Sequence, residues 1–237
     1  MNHPGELFMM RTLLWDVDGT LLDFKSAERA AIKGLFEEFS LGRCSEDMLL
    51  RYSQINEVYW KRLERNEITK SQVLVGRFEQ FFQEIGLSPT LASEFNRQYQ
   101  LRLGDTIVYR DDSIGIVKRL QGRIKQYVVS NGTKVAQEKK LLLSGLGELM
   151  DGVFISEEIG AEKPAPAFFN AVFDAVQPSN LSEVMIVGDS LTSDIQGGIN
   201  ARIQTCWYNP DQREVPSGYN IDYIISDLHE VIQLVEE

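Results

Sequence analysis

The chain has 237 residues, of which 43% are hydrophobic and 25% are charged, a composition typical of globular proteins of one or two domains. Lysine and arginine number 24, aspartate and glutamate 35, and the formal net charge is −11. Nucleic-acid polymers and anionic membranes are bound through basic surfaces, so we expect neither as a partner. No apolar stretch approaches the roughly 20 residues of a membrane span, and the first ten residues, expected to form a loose extension, lack a signal-peptide pattern. We therefore expect a cytoplasmic protein.

Cysteine and histidine are scarce, which excludes several kinds of site. Cys44 and Cys206 are too few for a disulfide framework or a four-ligand zinc site. His3 and His229 lie near the two ends of the chain, which disfavours Ser-His-Asp chemistry.

The first third of the chain contains one strand-like run followed by a long helical segment. Arg11–Val17 is apolar apart from its ends and predicts a buried strand that stops at a turn. From Phe24 to Leu103 the apolar residues recur at helical spacing, and glycine, asparagine and proline interrupt the pattern. The sequence therefore predicts an all-helical segment directly after the first strand.

The rest of the chain alternates between predicted strands and helices. The strands are predicted at residues 124–129, 152–155, 184–187, 203–207 and 223–225, and the helices at 134–143, 166–176, 191–201 and 228–235. Alternation with short connections is typical of a parallel, doubly wound α/β sheet with right-handed crossovers. We predict a Rossmann-like α/β core of residues 1–22 and 105–237, interrupted by a helical domain of residues 23–104.

Polar residues follow several of the predicted strands, and in an open parallel sheet ligands bind beyond the strands' carboxyl ends. These residues are Asp16, Asp18 and Thr20 after the first strand, Ser130 and Asn131 after the second, Lys163 after the third, and Asp189 and Asp194 after the fourth. Each group alone fits an ordinary turn or helix cap. Their meeting at one edge of the sheet favours a functional site.

The chemistry that fits these residues is phosphoryl transfer. Asp16 and Asp18 alternate along the chain, so one carboxylate can attack phosphorus while the other handles protons. Carboxylates clustered with Asp189 repel one another unless a hard cation such as Mg²⁺ lies among them. That cation and Lys163 neutralise the phosphate, and Ser130 with the amides after it can hold phosphate oxygens.

The combined motifs resemble the haloacid dehalogenase (HAD) superfamily, in its phosphatase branch with a helical cap inserted after the first strand. The resemblance rests on Asp16–Thr20, Ser130, Lys163 and Asp189–Asp194, and it covers nearly the whole chain. Dehalogenases of this superfamily lack the second aspartate, here Asp18, and need no metal. The presence of Asp18 therefore favours phosphate chemistry.

The resemblance implies roles for individual residues. Asp16 is implied as the nucleophile and Asp18 as the general acid and base. The implied Mg²⁺ ligands are the side chains of Asp16 and Asp189 and the backbone carbonyl of Asp18, with Asp194 supporting the metal site or Lys163. The implied phosphate-binding residues are Thr20, Ser130, Asn131 and Lys163.

Shorter signals bear on the subfamily. The segment Thr205–Pro210, together with Leu13–Thr20, resembles the YjjG-type bacterial pyrimidine 5′-nucleotidases, which implies a nucleoside monophosphate as substrate and a monomer or homodimer. Ala165 stands where an acidic residue commonly follows Lys-Pro, and Ala201-Arg202 replaces a common Ala-Gly. Neither departure involves an implied catalytic atom, so they bear on the subfamily alone.

Two other functions remain open. One is a phosphatase or phosphomutase of the same superfamily that acts on phosphoglycolate or a sugar phosphate. The other is a catalytically silent module that binds a phosphate ligand, although such a module has no need to keep the carboxylate pair, Ser130, Lys163 and Asp189 together.

The inserted segment carries eight aromatic residues that we expect to form mainly a helical-bundle core, with stacking on a pyrimidine as the alternative. They are Tyr52, Tyr59, Trp60, Phe78, Phe81, Phe82, Phe95 and Tyr99. Lys70 and Arg77 are expected to be solvated surface charges, with contacts to a sugar or phosphate as the alternative.

Overall fold

The computed structural model describes residues 10–236, and within this range it has six β-strands and ten α-helices. The strands are β1 (Thr12–Trp15), β2 (Lys125–Ser130), β3 (Gly152–Ile155), β4 (Val184–Gly188), β5 (Gln204–Tyr208) and β6 (Tyr223–Ile225). The helices are α1 (Phe24–Glu38), α2 (Glu46–Glu64), α3 (Lys70–Glu84), α4 (Ala92–Arg102), α5 (Ser113–Leu120), α6 (Lys134–Ser144), α7 (Ser156–Ile159), α8 (Pro166–Val176), α9 (Gln196–Ala201) and α10 (Glu230–Glu236). The extension expected for the first ten residues lies outside this range except for Met10, which is buried.

The six strands form one parallel sheet with the order β3-β2-β1-β4-β5-β6, which confirms the predicted doubly wound α/β fold. The chain proceeds outward from β1 through β2 to β3 and then returns to β4 on the other side of β1. Such a reversal of strand order is where ligands bind in open α/β sheets. Trp15, the last residue of β1, pairs with Val128 of β2 and Val187 of β4. The carboxyl ends of these three strands therefore lie within two residues of one another.

The described chain groups into two compact units. An α/β unit comprises residues 10–22, 109–132 and 145–236, and a helical unit comprises Asp23–Val108 and Thr133–Ser144. The predicted helical domain of residues 23–104 left α6 in the α/β core. In the structure α6 groups with the helical unit instead. Ala136 of α6 belongs to the helical unit's apolar cluster, and Lys139 donates a hydrogen bond to the carbonyl of Leu101 at 2.7 Å.

Each unit holds together the two ends of the inserted segment. In the helical unit the N–H of Asp23 donates to the carbonyl of Val108 at 2.8 Å. In the α/β unit Leu22 and Tyr109 form an antiparallel bridge. The chain thus leaves and re-enters each unit at neighbouring residues.

The helix predicted at residues 191–201 has two parts. Leu191–Ile195 forms a π-helical turn, and only the remainder is the α-helix α9. The hydroxyl oxygen of Ser190 caps the turn by accepting from the N–H of Ser193 at 3.2 Å. Apolar periodicity does not separate π from α geometry, and π turns are frequent at functional sites. Two further helices, α5 and α7, were not predicted.

The helical unit has an aromatic core, as expected. Six of its eight singled-out aromatic side chains are fully buried and pack ring against ring: Tyr52, Phe78, Phe81, Phe82, Phe95 and Tyr99. Tyr59 and Trp60 are partly exposed. The six buried rings serve packing, because a fully buried ring offers no face to a ligand.

Arg77 contradicts the expectation of a solvated charge, since only 1% of it is exposed. Its guanidinium donates to the side-chain oxygens of Asn56 at 2.6 Å and Asn96 at 3.2 Å, and it lies over the ring of Tyr99. The amide of Asn56 donates in turn to Glu28 at 2.9 Å. The prediction was wrong because these partners come from three other helices, which the sequence pattern does not reveal. Lys70 is partly exposed.

Among residues 10–236, no helix combines the length and the apolar character that crossing a membrane requires.

Candidate active site

Asp16 lies directly after β1, where two donors hold its carboxylate. The side chain of Lys163 donates to Oδ1 at 3.0 Å, and the hydroxyl of Thr20 donates to Oδ2 at 3.0 Å. The N–H of Asp16 donates to the carbonyl of Val187 at 3.0 Å, which extends the β1–β4 pairing by one residue. The backbone and the side chain of Asp16 are thus both fixed at the point where the strand order reverses.

Lys163 is the buried cation of this site, with 1% of its surface exposed. Its ammonium donates to Asp16, to Asp194 Oδ1 at 2.6 Å and to the carbonyl of Val129 at 2.7 Å. Asn131 fixes its backbone, since the Asn131 side chain accepts from the N–H of Lys163 and donates to its carbonyl, both at 2.8 Å. Asn131, predicted as a phosphate-binding residue, therefore uses its side chain to position Lys163.

Asp189 follows β4, and Asp194 lies in the π-helical turn. The N–H of Asp189 donates to the hydroxyl of Thr20 at 3.0 Å, and the second oxygen of Asp194 accepts from the N–H of Ser190 at 3.1 Å. Thr20, also predicted to bind phosphate, is fully buried and links Asp16 to Asp189.

Gly19 makes this close approach possible. Its φ is +102°, and a Cβ there would lie 2.6 Å from a carboxylate oxygen of Asp189. Any other residue at this position would strain the backbone and collide with the carboxylate. The glycine of the D-x-D-G-T motif is thus required by the site as well as by the turn.

The ionisation of the buried groups reflects their crowding. Burial raises the pKa of Asp16 to about 7 against the opposing charge of Lys163, and the charges of Asp194 and Asp18 add to the rise. Burial also raises the pKa of Asp189, with Asp16 and Asp194 adding to the rise and Arg213 opposing it. Burial disfavours the charged form of Lys163, but the carboxylates of Asp16 and Asp194 outweigh it and raise the pKa of the ammonium. The carboxyl groups of Asp16 and Asp189 are therefore both costly to ionise.

The three carboxylates meet the requirements of a divalent cation. Asp16, Asp189 and Asp194 each offer an oxygen, and these oxygens all lie within 4.8 Å of one another. Hard cations such as Mg²⁺ prefer carboxylate and carbonyl oxygens. Both oxygens of Asp16 and both oxygens of Asp194 accept hydrogen bonds, whereas Asp189 accepts at one oxygen, from the hydroxyl of Thr20 at 3.5 Å.

The remaining predicted residues lie at the same edge. Asp18 is partly exposed, and its backbone forms a bridge with Leu22. Ser130 ends β2, is buried, and accepts at its hydroxyl oxygen from the N–H of Gly132 at 3.0 Å. Both residues therefore lie at the carboxyl ends of strands next to one another, β1 and β2.

Two residues that contact this site were not predicted from the sequence. Trp207 and Arg213 both donate hydrogen bonds to the backbone carbonyl of Asp189, at 3.0 and 3.1 Å. Trp207 lies in the segment Thr205–Pro210, which resembles a subfamily, but the sequence of this segment gives no sign of the contact. The pairing of β5 with β4 creates it.

The helical unit contains a cavity of about 410 Å³ of its own. It lies between α2 and α3 and is lined by Tyr59, Arg62, Ile68, Ser71, Gln72, Val75, Gly76 and Glu79. Of the eight aromatic residues of this unit discussed above, only Tyr59 contributes to the lining.

Comparison with known proteins agrees with the geometry. A sequence model of the haloacid dehalogenase-like hydrolases matches residues 10–202, and the chain belongs to this family of hydrolases. The chain is 36% identical to the HAD-hydrolase YfnB of Bacillus subtilis over 203 residues, which cover 86% of each protein. A crystal structure of YfnB bound to magnesium superimposes with a TM-score of 0.88 at 34% identity, covering 96% of this chain and 99% of that one.

Two other relatives are pyrimidine 5′-nucleotidases. YjjG of Escherichia coli is 30% identical over 223 residues, 94% of this chain and 96% of YjjG. PynA of Streptococcus pneumoniae is 33% identical over 207 residues, 85% of each protein. The similarity in both cases extends over most of the two chains.

Proposed function

We propose that this protein is a Mg²⁺-dependent phosphomonoesterase that forms an aspartyl phosphate on Asp16, and that its substrates are pyrimidine nucleoside 5′-monophosphates. One observation carries the reaction type. The carboxylate of Asp16 is held 3.0 Å from the ammonium of Lys163, in a cluster with Asp189, at the reversal point of the sheet. This arrangement combines an anionic nucleophile with the positive charge that an anionic substrate requires.

In the first step, a carboxylate oxygen of Asp16 attacks the phosphorus of the monoester. The new O–P bond forms as the bond between phosphorus and the leaving oxygen breaks. Asp18 gives its proton to that leaving oxygen, which departs as an alcohol. Lys163 stabilises the reacting carboxylate and the charge on the phosphoryl group, and we assign Ser130 to the phosphoryl oxygens.

In the second step, water attacks the phosphorus of the aspartyl phosphate. Asp18, now ionised, takes a proton from this water. The bond between phosphorus and the oxygen of Asp16 breaks, and inorganic phosphate leaves. Thr20 and Asn131 act indirectly, because Thr20 fixes the carboxylate of Asp16 and Asn131 fixes the backbone of Lys163.

Mg²⁺ would be held by the side chains of Asp16 and Asp189 and by the backbone carbonyl of Asp18. Bound there, it supplies charge neutralisation between the nucleophile and the phosphate. Asp194 would support Lys163. The crowding of carboxylates around one buried ammonium favours this assignment, because a divalent cation removes their mutual repulsion.

The substrate class rests on relatives and on a short sequence segment. YjjG and PynA are pyrimidine 5′-nucleotidases, and each aligns with at least 85% of this chain. The segment Thr205–Pro210 is similar to the corresponding part of that subfamily. A phosphoglycolate or sugar-phosphate phosphatase remains the second candidate.

Hydrolysis of p-nitrophenyl phosphate tests the reaction type. We expect turnover with Mg²⁺, none with EDTA, and a loss of about 10⁴-fold or more in Asp16→Asn, because the nucleophile is absent. The matched control is Asp174→Asn, which changes an exposed aspartate of α8 and is expected to retain activity. If the wild-type protein shows no metal-dependent turnover, the proposed phosphatase function is wrong and the silent binding module is favoured.

A substrate panel tests the specificity. The panel comprises dUMP, dTMP, UMP, AMP, phosphoglycolate and hexose phosphates, compared by kcat/KM at saturating Mg²⁺. We expect the pyrimidine nucleotides to give the highest values. A preference for phosphoglycolate or a sugar phosphate would reject the nucleotidase assignment and leave the mechanism intact.

A further inference from the structure

Trp207 of β5 and Arg213 of the following loop meet at one backbone atom of the site, the carbonyl oxygen of Asp189. Gly188 of β4 pairs with Trp207 of β5, so the indole of Trp207 lies beside the first residue after β4. Its N–H donates to the carbonyl of Asp189 at 3.0 Å, and Arg213 donates to the same oxygen at 3.1 Å. The proposed mechanism uses neither side chain.

Arg213 is an exposed residue held in one place. Asn209, which is buried, accepts from the N–H of Arg213 at 3.0 Å and donates to its carbonyl at 2.9 Å. The guanidinium also lies over the ring of Trp207, 5.1 Å from the ring centroid. Exposed arginines ordinarily move among many rotamers. Stacking and the clamp by Asn209 restrict this one to the carbonyl of Asp189.

The backbone of Asp189 is thereby fastened on both sides. Its N–H is held by the buried hydroxyl of Thr20 at 3.0 Å, and its carbonyl by Trp207 and Arg213. Gly19 packs against the side chain of the same residue. With both peptide groups fixed, the direction in which the carboxylate leaves the backbone is fixed as well.

We propose that Trp207 and Arg213 are positioning residues for divalent-cation binding, acting through the backbone carbonyl of Asp189. The inference rests on the proposed function, in which Asp189 is a Mg²⁺ ligand. Mg²⁺ requires near-ideal octahedral geometry, so its affinity depends strongly on how its ligands are oriented. Removing a group that orients a metal ligand typically weakens binding by about 10- to 100-fold.

The sign of the effect separates positioning from charge. Arg213 carries a positive charge near a cation site, so charge alone predicts that Arg213→Ala binds Mg²⁺ more tightly. Positioning predicts weaker binding. Trp207→Phe changes no charge and keeps a buried aromatic ring, so it tests the indole hydrogen bond together with the ring on which Arg213 stacks.

Isothermal titration calorimetry with MgCl₂ gives the readout, independent of turnover. We expect the Kd for Mg²⁺ to rise about tenfold in Arg213→Ala and in Trp207→Phe, and by less in Arg213→Lys, which keeps a donor. The Mg²⁺ concentration for half-maximal hydrolysis of p-nitrophenyl phosphate should rise in parallel, with KM at saturating Mg²⁺ within about twofold of wild type. Arg43→Ala, at an exposed arginine of the helical unit, is the charge-matched control and should leave the Kd unchanged.

Tighter or unchanged Mg²⁺ binding in Arg213→Ala overturns the proposal, as does an equal weakening in Arg43→Ala. Arg213 is exposed, so Arg213→Ala decides the outcome even when Trp207→Phe fails to fold. If the wild-type protein hydrolyses p-nitrophenyl phosphate with Mg²⁺ and the variants keep the wild-type Kd, this inference is wrong and the proposed function is unaffected. Wild-type protein that binds no Mg²⁺ rejects the proposed function and this inference together. If the variants bind Mg²⁺ more weakly but the wild-type protein shows no turnover, the phosphatase function is wrong and the positioning role is supported.

Discussion

The two units of this chain bury charged side chains in different ways. The α/β unit gathers three carboxylates, Asp16, Asp189 and Asp194, around the single ammonium of Lys163. The helical unit buries one carboxylate, Glu28, and two cations, Arg77 and Lys140, and the side-chain amide of Asn56 is hydrogen-bonded to Glu28 and to Arg77. Carboxylates outnumber the cation in the first case, whereas in the second the buried carboxylate and guanidinium are joined through a shared amide.

This difference distinguishes the candidate site of the α/β unit from the structural network of the helical unit. A buried charge is tolerated when partners satisfy it, as Asn56 and Asn96 do for the two terminal nitrogens of Arg77. Carboxylates held close together repel one another, and such an unbalanced cluster favours a cation as its ligand. Four variants, two from each unit, test whether this distinction holds.

Lys163→Met should have the largest effect, because it leaves two buried carboxylates, Asp16 and Asp194, without the ammonium that donates to both. We expect a loss of about 3–5 kcal/mol in the free energy of unfolding, and a loss of about 10³-fold in hydrolysis of p-nitrophenyl phosphate. Urea titration in EDTA and then in Mg²⁺ measures the first quantity, and part of the lost stability should return with Mg²⁺. Equal stability of Lys163→Met and wild type in EDTA would contradict the account of an unbalanced cluster.

We expect Arg77→Met to have the second-largest effect, and we expect it to lower stability without lowering activity. It leaves the oxygen of Asn56 without its donor and Glu28 without its nearby cation, at a cost of about 3 kcal/mol, whereas the oxygen of Asn96 keeps the donor of Gln100. The activity of the folded protein should stay within a few-fold of wild type. Arg51→Met, at an exposed arginine of α2, is the control and should cost less than about 1 kcal/mol. If Arg77→Met lost as much activity as Lys163→Met, the distinction between the two units would be contradicted.

Asp16→Asn should change how stability depends on pH in metal-free protein. The pKa of Asp16 is about 7 in the folded state and 3.8 as the ordinary value. Between these values the folded protein holds a proton that the unfolded chain has released, so stability is greatest at low pH and falls as pH rises through the window. A difference of one bound proton changes the free energy of unfolding by about 1.4 kcal/mol per pH unit. We expect Asp16→Asn to reduce the slope of stability against pH by up to this amount. Urea titrations from pH 4 to 8 in EDTA measure the slope, and an unaltered slope would refute the prediction.

Glu28→Gln should have the smallest effect. Burial raises the pKa of Glu28, so its ionised form costs stability as pH rises above the ordinary value of 4.5. Glutamine keeps an oxygen for the amide of Asn56, and we expect a change at pH 7 between zero and a gain of about 1 kcal/mol, with a flatter pH profile. The exposed Glu57→Gln is the control. A loss of several kcal/mol would mean that Glu28 and Arg77 act as a strong ion pair.

Much of the α/β unit could be predicted from local pattern. Apolar runs followed by short polar segments indicate the strands, and the rules for parallel sheets predict that Asp16 and Asp189 lie at one edge. The glycine in D-x-D-G-T likewise indicated a tight turn. These features succeed because each depends on neighbouring residues and on a general rule of topology.

The missed features depend on neighbours that are distant in sequence. Arg213 reaches Asp189 only because β5 lies beside β4 and because Asn209 shapes the following loop. Arg77 is buried only because Asn56 and Asn96 of other helices satisfy it. Periodicity reports which face of an element is apolar, and it contains no information on which polar side chains will meet.

The adjoining ends of the inserted segment bear on how the protein folds. The hydrogen bond from the indole of Trp15 to Gln126 in β2 joins residues 111 positions apart, and most of the intervening chain lies in the helical unit. With the helices formed first, Asp23 and Val108 already lie together, joined by a hydrogen bond. The loop that β1 and β2 must then close is several-fold shorter, which lowers its entropic cost by about 1 kcal/mol. Helices assemble rapidly through local contacts, so early formation of the inserted segment would bring the first strand of the sheet close to its partner.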